Sequence, residues 1–294
     1  MTRFLSAFVY YCIAMPISLL PFWALYIISD IVYILTYYIV GYRKKVVREN
    51  LKNSFPEFPE ERLKKIEEGF YKHFADFLVE SAKSLTISDK EIRKRCNIIN
   101  PELVNKYYDE GRDVMILCGH YNNWEYYAVG LAQQMKHKTV AVYQPLKNDF
   151  YDKKILNSRQ RFGLKMLSIR EFPRFLNEKG SIPPTLSVVI NDQSPRDVQH
   201  AHWNTFLNQQ TGWMPGGEKL ATKHQQAVVF GTIYKKKRGF YEVEFSLITE
   251  HPENEVEGFI TDKHSQYLET VIRKEPQYWL WSHRRWKYQP LEVV

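Results

Sequence analysis

Cysteine is scarce in this chain, whose 294 residues include only Cys12, Cys96 and Cys118. Three widely spaced cysteines build neither a disulfide framework nor a C-x-x-C metal or redox motif. Glycine and proline are also few, at 13 and 14 residues, which excludes a collagen-like repeat, and a hydrophobic share of 44% excludes general disorder. We therefore expect a protein with a sizeable core that lies mostly in a reducing compartment.

Signature motifs of several large enzyme classes are missing as well. The sequence contains no G-x-S-x-G elbow, no Walker loop, no G-x-G-x-x-G and no H-E-x-x-H. These absences exclude the commonest serine hydrolases, P-loop enzymes, dinucleotide enzymes and zinc peptidases.

Acidic residues are outnumbered, with 33 Asp and Glu against 41 Lys and Arg, a formal net charge of +8. Such an excess suits nucleic acid, an anionic membrane surface or an acidic substrate. Between Phe4 and Val40 the single charged residue is Asp30, and apolar side chains dominate. This long apolar run favours the membrane, so we expect residues 1–42 to form an N-terminal hydrophobic helical anchor.

The anchor has two possible arrangements. Residues 22–40 would measure about 28 Å as a helix, just enough to cross a bilayer core. Asp30 opposes crossing, because an acidic residue near mid-membrane costs about 2.5 to 3.5 kcal/mol. Spanning, surface docking and simple capping of the protein's own core all stay open. The four cations between Arg43 and Arg48 place the bulk of a membrane-bound protein in the cytoplasm.

Downstream of the anchor the pattern predicts an α/β fold. Short β-branched apolar runs at 114–118, 139–143, 185–190 and 227–230 alternate with helical periodicity, as in a parallel sheet. A hairpin partner is expected at 240–247, and an amphipathic helix at 60–84. The fold class is therefore a mostly parallel mixed sheet flanked by helices, with residues 43–294 as one catalytic domain.

Polar residues follow three of the predicted strands, where open α/β sheets bind ligands. His120 and Glu125 follow the first, Lys147 the second, and Asp192 and Gln193 the third. Glu125, in the first turn of the next helix, is a candidate to hold one imidazole nitrogen of His120 while the other takes a proton from a hydroxyl. The alternative is a capping box formed by Asn122 and Glu125.

Lys147, Asp192, Gln193 and four arginines are candidate substrate ligands. Arg159 and Arg161 stand two residues apart on a predicted helix, so at most one faces the site. Arg284 and Arg285 belong to a segment with three tryptophans at 276–287. Planar guanidinium groups suit phosphate, and tryptophans suit a lipid interface or RNA bases. A tryptophan-rich helix packed in the core is the alternative.

With these residues collected, the sequence resembles the late acyltransferases of lipid A biosynthesis, lauroyl and myristoyl transferases within the lysophospholipid acyltransferase superfamily. The resemblance is carried by an ordered series of segments: G-Y-R at 41–43, N-L-K-N-S-F-P at 50–56, H-Y-N-N-W-E at 120–125, Y-Q-P-L-K-N at 143–148, R-x-R-x-G at 159–163, D-Q at 192–193 and P-Q-Y-W-L-W-S-H-R-R-W-K at 276–287.

The resemblance implies transfer of a fatty acyl chain from acyl-carrier protein to a hydroxyl of a phosphorylated glycolipid. The reaction would occur at the cytoplasmic face of the inner membrane, without a metal or another cofactor and without nucleic acid as a partner. His120 would be the general base and Glu125 its orienting partner. Basic residues, including Lys147, Arg159 or Arg161, would hold acceptor phosphates and acidic carrier protein.

The segment from Ala201 to Met214 departs from the family pattern, which leaves the acyl chain length open. Tyr121 and Asn122 also replace the small residue usual before the Trp of this motif. Another glycolipid or lysolipid acceptor, hydrolysis of thioesters or phospholipids by the same His and Glu, and a non-catalytic membrane-tethered binder of RNA or anionic lipid remain alternatives.

Overall fold

Helices and strands alternate along the part of the chain that the computed structural model describes, residues 3–180, 182–195 and 197–290. The strands are β1 (Cys96–Ile98), β2 (Val114–Cys118), β3 (Lys138–Tyr143), β4 (Lys165–Ser168), β5 (Thr185–Ile190), β6 (His202–Phe206), β7 (Gln209–Trp213), β8 (Ala227–Lys237) and β9 (Phe240–Thr249). The α-helices are α1 (Arg3–Val9), α2 (Met15–Leu19), α3 (Phe22–Ile34), α4 (Lys44–Ser54), α5 (Glu60–Lys83), α6 (Asp89–Arg95), α7 (Glu102–Asp109), α8 (Trp124–Leu131), α9 (Asp149–Gln160), α10 (Glu171–Glu178), α11 (Gly216–Lys223) and α12 (Phe259–Lys274). Short π-helical turns join or extend the first helices at Tyr10–Ala14 and Leu35–Ile39, and 3-10 turns lie at Pro252–Asn254 and Pro276–Tyr278.

Seven strands form one sheet in the order β1-β9-β8-β2-β5-β3-β4. All neighbours in it are parallel except β8 and β9, which form an antiparallel hairpin. Strands β6 and β7 pair separately. The predicted fold class is confirmed: the sheet is mostly parallel, mixed at one pair, and flanked by helices.

The central strand β2 is buried on both faces. Val114, Ile116 and Cys118 join the cluster under α6, α7 and α8, whereas Met115 and Leu117 join the cluster under α10 and α12. Two helical layers therefore cover the sheet, which explains why this strand reads as a continuous apolar run and not as an alternating one.

The N-terminal segment packs along α5. Leu25 and Ser29 of α3 and Tyr37 of the following π-helical turn are buried against the rest of the protein. Residues Phe22–Ile39 are long and apolar enough to cross a membrane, as expected from the sequence. The same helix is thus apolar on its outside and joined to the α/β body on its inside.

The register of the sheet decides which loops meet at its carboxyl edge. In the parallel pair of β2 and β5, Cys118 stands opposite Ile190. Two residues beyond each strand end come His120 and Asp192, which brings the predicted polar loops of these two strands side by side.

Candidate active site

The imidazole of His120 is paired with the carboxylate of Asp192. Nδ1 of His120 lies 2.5 Å from Oδ1 of Asp192, and the backbone N–H of His120 donates to Oδ2 at 2.8 Å. Asp192 is only 2% exposed, whereas the side chain of His120 is 18% exposed. A buried carboxylate thus holds one side of the ring, and the other side is partly open to solvent.

Trp279 supplies a further hydrogen bond to the same carboxylate, from Nε1 to Oδ2 of Asp192 at 2.8 Å. Burial alone would raise the pKa of Asp192, but the charge of His120 and the hydrogen bonds from His120 and Trp279 outweigh it and hold this pKa well below its usual value. Asp192 is therefore an anion at neutral pH, able to stabilise a positive imidazole beside it.

Gly119 allows the end of β2 to lie close to Leu268 and to the carboxylate of Asp192. A Cβ at this position would lie 2.7 Å from Cδ1 of Leu268 and 3.1 Å from Oδ2 of Asp192. Because the first distance is shorter than real Cβ contacts allow, a larger residue would force the buried side chain of Leu268 or the strand end to move.

The loop after Gly119 is fixed at each residue. The hydroxyl of Tyr121 donates to the carbonyl oxygens of Val271 and Glu275, both at 3.1 Å. Asn122 has a left-handed backbone, with φ at 55°, and its side chain donates to the carbonyl oxygen of Ile233 at 2.7 Å. These bonds hold His120 in place, since the loop that carries it has little freedom.

The predicted contact between Glu125 and His120 is corrected by the structure. Both carboxylate oxygens of Glu125 accept hydrogen bonds from Arg159, from Nε at 2.9 Å and from Nη2 at 2.5 Å. The reason is geometric. Glu125 lies in the first turn of α8 and faces α9, where it binds Arg159. Asp192 follows β5, the strand next to β2, and its carboxylate contacts the His120 imidazole. The capping alternative is also wrong, because Asn123 and not Asn122 caps α8, accepting from the N–H of Tyr126 at 2.9 Å.

The second ring nitrogen of His120, Nε2, lies on the solvent-accessible side of the ring. Nε2 of the Gln193 side chain is 3.4 Å from it. The ring of Trp124 packs edge-on against the imidazole with centroids 5.0 Å apart, and Phe77 packs on Trp124 at 4.1 Å. The imidazole therefore has an aromatic neighbour on one side and the polar side chain of Gln193 beside Nε2.

Arg159 and Arg161 have different partners. Burial opposes the charge of Arg159, but the charge and hydrogen bonds of Glu125 outweigh it and raise the pKa of the guanidinium. Arg161 instead donates to three backbone carbonyl oxygens, those of Ser84, Leu85 and Ile87. Arg159 thus binds Glu125 at the start of α8, and Arg161 binds the chain that follows α5.

The remaining predicted ligands are divided between surface and interior. Lys147 and Arg284 are exposed. Arg285 is 2% exposed, stacks over Trp213 at 4.6 Å and donates to the carbonyl oxygen of Gly212 at 2.7 Å. Its predicted role as a substrate ligand does not fit this burial. The alternative of a tryptophan-rich helix packed in the core is wrong about the helix, since only Pro276–Tyr278 forms a 3-10 turn and the chain then continues irregularly, but Trp279 and Trp281 are indeed buried.

Two residues of the C-terminal segment were missed as members of the site. Trp279 binds Asp192, and His283 lies close enough to both Asp192 and His120 to sense their charges. Burial lowers the pKa of His283 to about 4, so its ring is neutral near pH 7. The sequence does show that Trp279 and His283 lie in a segment rich in tryptophan. The spacing of these residues does not predict which of their side chains are buried beside the site.

Among the described residues, no group of three or more His, Cys, Asp or Glu side chains is arranged to hold a metal ion.

An imidazole and a carboxylate at the strand ends of an α/β sheet form the arrangement of an enzyme that moves protons during group transfer. Residues 1–288 match the model of the bacterial lipid A biosynthesis acyltransferase family. The chain belongs to this family and is an O-acyltransferase, as its motifs predicted.

Two curated relatives agree with the family. The chain is 24% identical over 258 residues to the lipid A biosynthesis palmitoleoyltransferase of Escherichia coli (strain K12), a match that covers 85% of this chain and 80% of the relative. Identity and coverage are the same for the lipid A biosynthesis acyltransferase of Shigella flexneri.

Proposed function

We propose that this enzyme moves a fatty acyl chain from acyl-carrier protein to a hydroxyl of a lipid A precursor at the cytoplasmic face of the inner membrane. Residues 43–294 would form the catalytic domain and residues 1–42 the membrane anchor. The observation that carries the proposal is the pair of His120 and Asp192, 2.5 Å apart at the carboxyl edge of the sheet in a chain of this family.

His120 is the general base in this proposal. Its Nε2 takes the proton of the acceptor hydroxyl while the oxygen attacks the thioester carbonyl. The C–O bond forms, the C–S bond breaks, and the imidazolium returns the proton to the leaving thiolate. Asp192 accepts from Nδ1–H, which fixes the tautomer and stabilises the imidazolium. General-base assistance of this kind is worth about 10²- to 10⁴-fold in rate.

Arg159 is the proposed electrostatic partner of the reaction. A guanidinium held on two sides by Glu125 is preorganised, and a preorganised cation stabilises the oxyanion of the tetrahedral intermediate better than a mobile one. Backbone amides at the start of α8, near Trp124, are a second source of donors. Glu125 therefore acts through Arg159, as a positioning residue.

The acceptor phosphates and the acidic carrier protein require cations outside the catalytic pair. Exposed Lys147 and Arg284 are available, as is Lys45 of the basic segment after the anchor, whereas Arg43, Lys44 and Arg48 of that segment bind groups of the protein itself. Gln193, beside Nε2 of His120, is placed to accept or donate to the acceptor hydroxyl. The acyl chain length and the acylated position are left to the experiment below.

Mass spectrometry of lipid A from a deletion strain tests the proposal. Lipid A should lack one secondary acyl chain, and wild-type enzyme should restore it while His120→Ala should not. His200→Ala is the matched control, because His200 is exposed and its ring bonds to Asp197 in the same loop. An unchanged lipid A profile with an altered second glycolipid would identify another acceptor. Free fatty acid without acylated product would identify a hydrolase. Full restoration of the acyl chain by His120→Ala would contradict the assignment of His120 as the general base.

A further inference from the structure

The two faces of α3 differ in what they contact. On the inner face Ser29 donates to Oδ1 of Asp76 at 2.8 Å, and the hydroxyl of Tyr26 donates to Oε1 of Glu80 at 3.0 Å. Asp76 and Glu80 both belong to α5 and are both buried. Helix α3 is therefore joined side by side to a 24-residue helix that carries charged residues along its length.

Asp30, halfway along Phe22–Ile39, forms an ion pair with the α/β body. Nη2 of Arg238 donates to Oδ1 of Asp30 at 2.6 Å and lies 2.7 Å from Oδ1 of Asp76. Arg238 follows directly on exposed Lys236 and Lys237 at the end of β8. If α3 crossed a bilayer, this pair would place a cluster of lysines near the midplane, where each charge costs about 2.5 to 3.5 kcal/mol even on the mildest scales.

The outer face of α3 is largely apolar, although the carboxylate of Asp30, which pairs with Arg238, is 65% exposed. Large side chains recur there at steps of three and four residues, and each is at least half exposed: Trp23 at 70%, Ile27 at 54%, Ile31 at 52%, Ile34 at 50% and Tyr38 at 64%. Phe4 and Phe8 of α1 are exposed as well, at 82% and 51%. A row of exposed apolar side chains such as that of α3 marks a partner or a membrane.

Cations border the apolar surface at both ends. Near its beginning, Nζ of Lys154 lies 2.9 Å from the hydroxyl of Tyr11, beside a concave surface lined by Lys147 and Lys153. Near its end, the side chain of Lys45 in α4 is 89% exposed. Tyrosine and lysine together are typical of the level of lipid headgroups, and the positive charge complements anionic lipid.

We propose that helices α1 to α3 lie in the plane of one leaflet of an anionic bilayer and that α3 does not cross it. The outer face of α3 enters the boundary between headgroups and acyl chains, and its inner face stays bound to α5 outside the hydrocarbon. The body of the enzyme then lies directly on the lipid surface from which an acceptor would be taken. This inference deepens the proposed anchor, but it does not depend on the acyl-transfer chemistry.

A depth measurement along α3 tests the arrangement. Cys12 is the exposed cysteine, and Cys96 and Cys118 are buried, so Cys12→Ser gives a background without a reactive thiol. Trp23→Cys, Ile31→Cys and Tyr38→Cys, each labelled with a nitrobenzoxadiazole probe, report two ends and the middle of the outer face. The ends are about 22 Å apart along the helix axis. Val256→Cys is the control, because Val256 is 75% exposed and lies in the loop before α12, far from α3 in the sequence.

The labelled full-length protein is added to vesicles of phosphatidylethanolamine and phosphatidylglycerol that contain lipids brominated at different depths. In the proposed arrangement all three probes on α3 show the same depth, aqueous dithionite added outside reduces all three, and Val256→Cys is not quenched by bromine. Binding to pure phosphatidylcholine vesicles is weaker.

Other outcomes overturn the inference. A deep Ile31 probe between two shallow ends, with dithionite reaching only one end, means that α3 spans. Absence of bromine quenching at all three positions, with a salt-independent dimer in solution, means that a second copy of the chain covers the face. Neither result would bear on whether the enzyme transfers acyl groups, which the lipid A measurement decides.

Discussion

Arg159 holds both carboxylate oxygens of Glu125, at 2.9 and 2.5 Å, and so joins the last turn of α9 to the first turn of α8. Pairs of this fork-to-fork kind are strong and fix orientation as well as distance. The carboxylate of Glu125 thus binds Arg159 and not the imidazole of His120. Its charge matters because it fixes where the guanidinium stands.

Glu125→Gln is predicted to lower turnover by about 10- to 100-fold with little loss of melting temperature, since one hydrogen bond to Arg159 survives and the charge is lost. Arg159→Met should cost about 10²- to 10³-fold, the usual effect of removing one oxyanion donor. Steady-state kinetics of the two variants and of the double variant provide the check. The double variant should be no worse than Arg159→Met, because residues that act as a unit are not additive. Fully additive losses would show that the two residues act separately.

Arg161→Ala should affect stability and spare the chemistry. Its guanidinium donates to the carbonyl oxygens of Ser84, Leu85 and Ile87, and hydrogen bonds from charged groups contribute about 1.5 to 3 kcal/mol each before solvent screening reduces them. We expect a loss of about 1 to 3 kcal/mol in the free energy of unfolding, measured in urea. Turnover of the folded enzyme should stay within about twofold of wild type. A large fall in turnover at unchanged stability would place Arg161 in the site.

The sequence predicts the strands that carry the site better than it predicts which side chains meet there. Residues 114–118, 139–143 and 185–190 are apolar because both faces of the sheet are covered, and β2, β3 and β5 lie where this pattern placed them. Strands β1 and β4 are short, at three and four residues, and lie at the sheet edges, where little apolar pattern is needed. The missed hairpin of β6 and β7 is polar, with His202, Asn204 and Gln209 among its residues.

The site shows a different limit. The topology of an α/β sheet predicts that polar residues gather at the strand ends, and Asp192 was one of the residues so predicted. The partner of His120 depends on the register of β2 and β5, which a single sequence does not display. A spacing of five residues therefore suggested Glu125, whereas a neighbour 72 residues away holds the ring.

Asp76 is predicted to be the main attachment of α3 to the body. It is 4% exposed and binds Ser29, Lys235 and Arg238. Asp76→Ala leaves Lys235 buried without its carboxylate, so unfolding should become easier by about 3 to 5 kcal/mol. Trypsin should also cut faster at Arg43, because α3 loosens. Asp89→Ala is the control, since Asp89 is exposed and bonds to Arg93 on its own helix. Equal stabilities of the two variants would contradict this role.

His264 should make the protein less stable in mild acid. Burial lowers the pKa of this ring to about 4, although the charge of Asp192 opposes the effect, whereas the unfolded chain has the ordinary value of about 6.5. Between these two values the unfolded state binds more protons, so the free energy of unfolding falls as pH decreases from about 6.5 to about 4. The contribution is at most about 3 kcal/mol.

Urea unfolding at several pH values checks this dependence. His264→Gln keeps a donor for the carbonyl oxygen of Cys118, which lies 3.2 Å from Nε2, and removes the titrating group. The slope of stability against pH should become shallower in this variant and remain unchanged in His200→Gln, whose side chain is 73% exposed. Identical slopes for all three proteins would exclude His264 as the cause.

Turnover of Asp192→Asn, with purified acyl-carrier-protein thioester and a lipid A precursor, tests the catalytic pair most directly. The amide keeps the shape of the side chain but removes the charge that stabilises the imidazolium and favours the wrong ring tautomer. We predict a fall in kcat of about 10²-fold or more with a nearly unchanged KM for the acceptor, and no further loss when His120→Ala is added. A well-folded Asp192→Asn enzyme with turnover near that of wild type would contradict the assignment of His120 and Asp192 as the base and its partner.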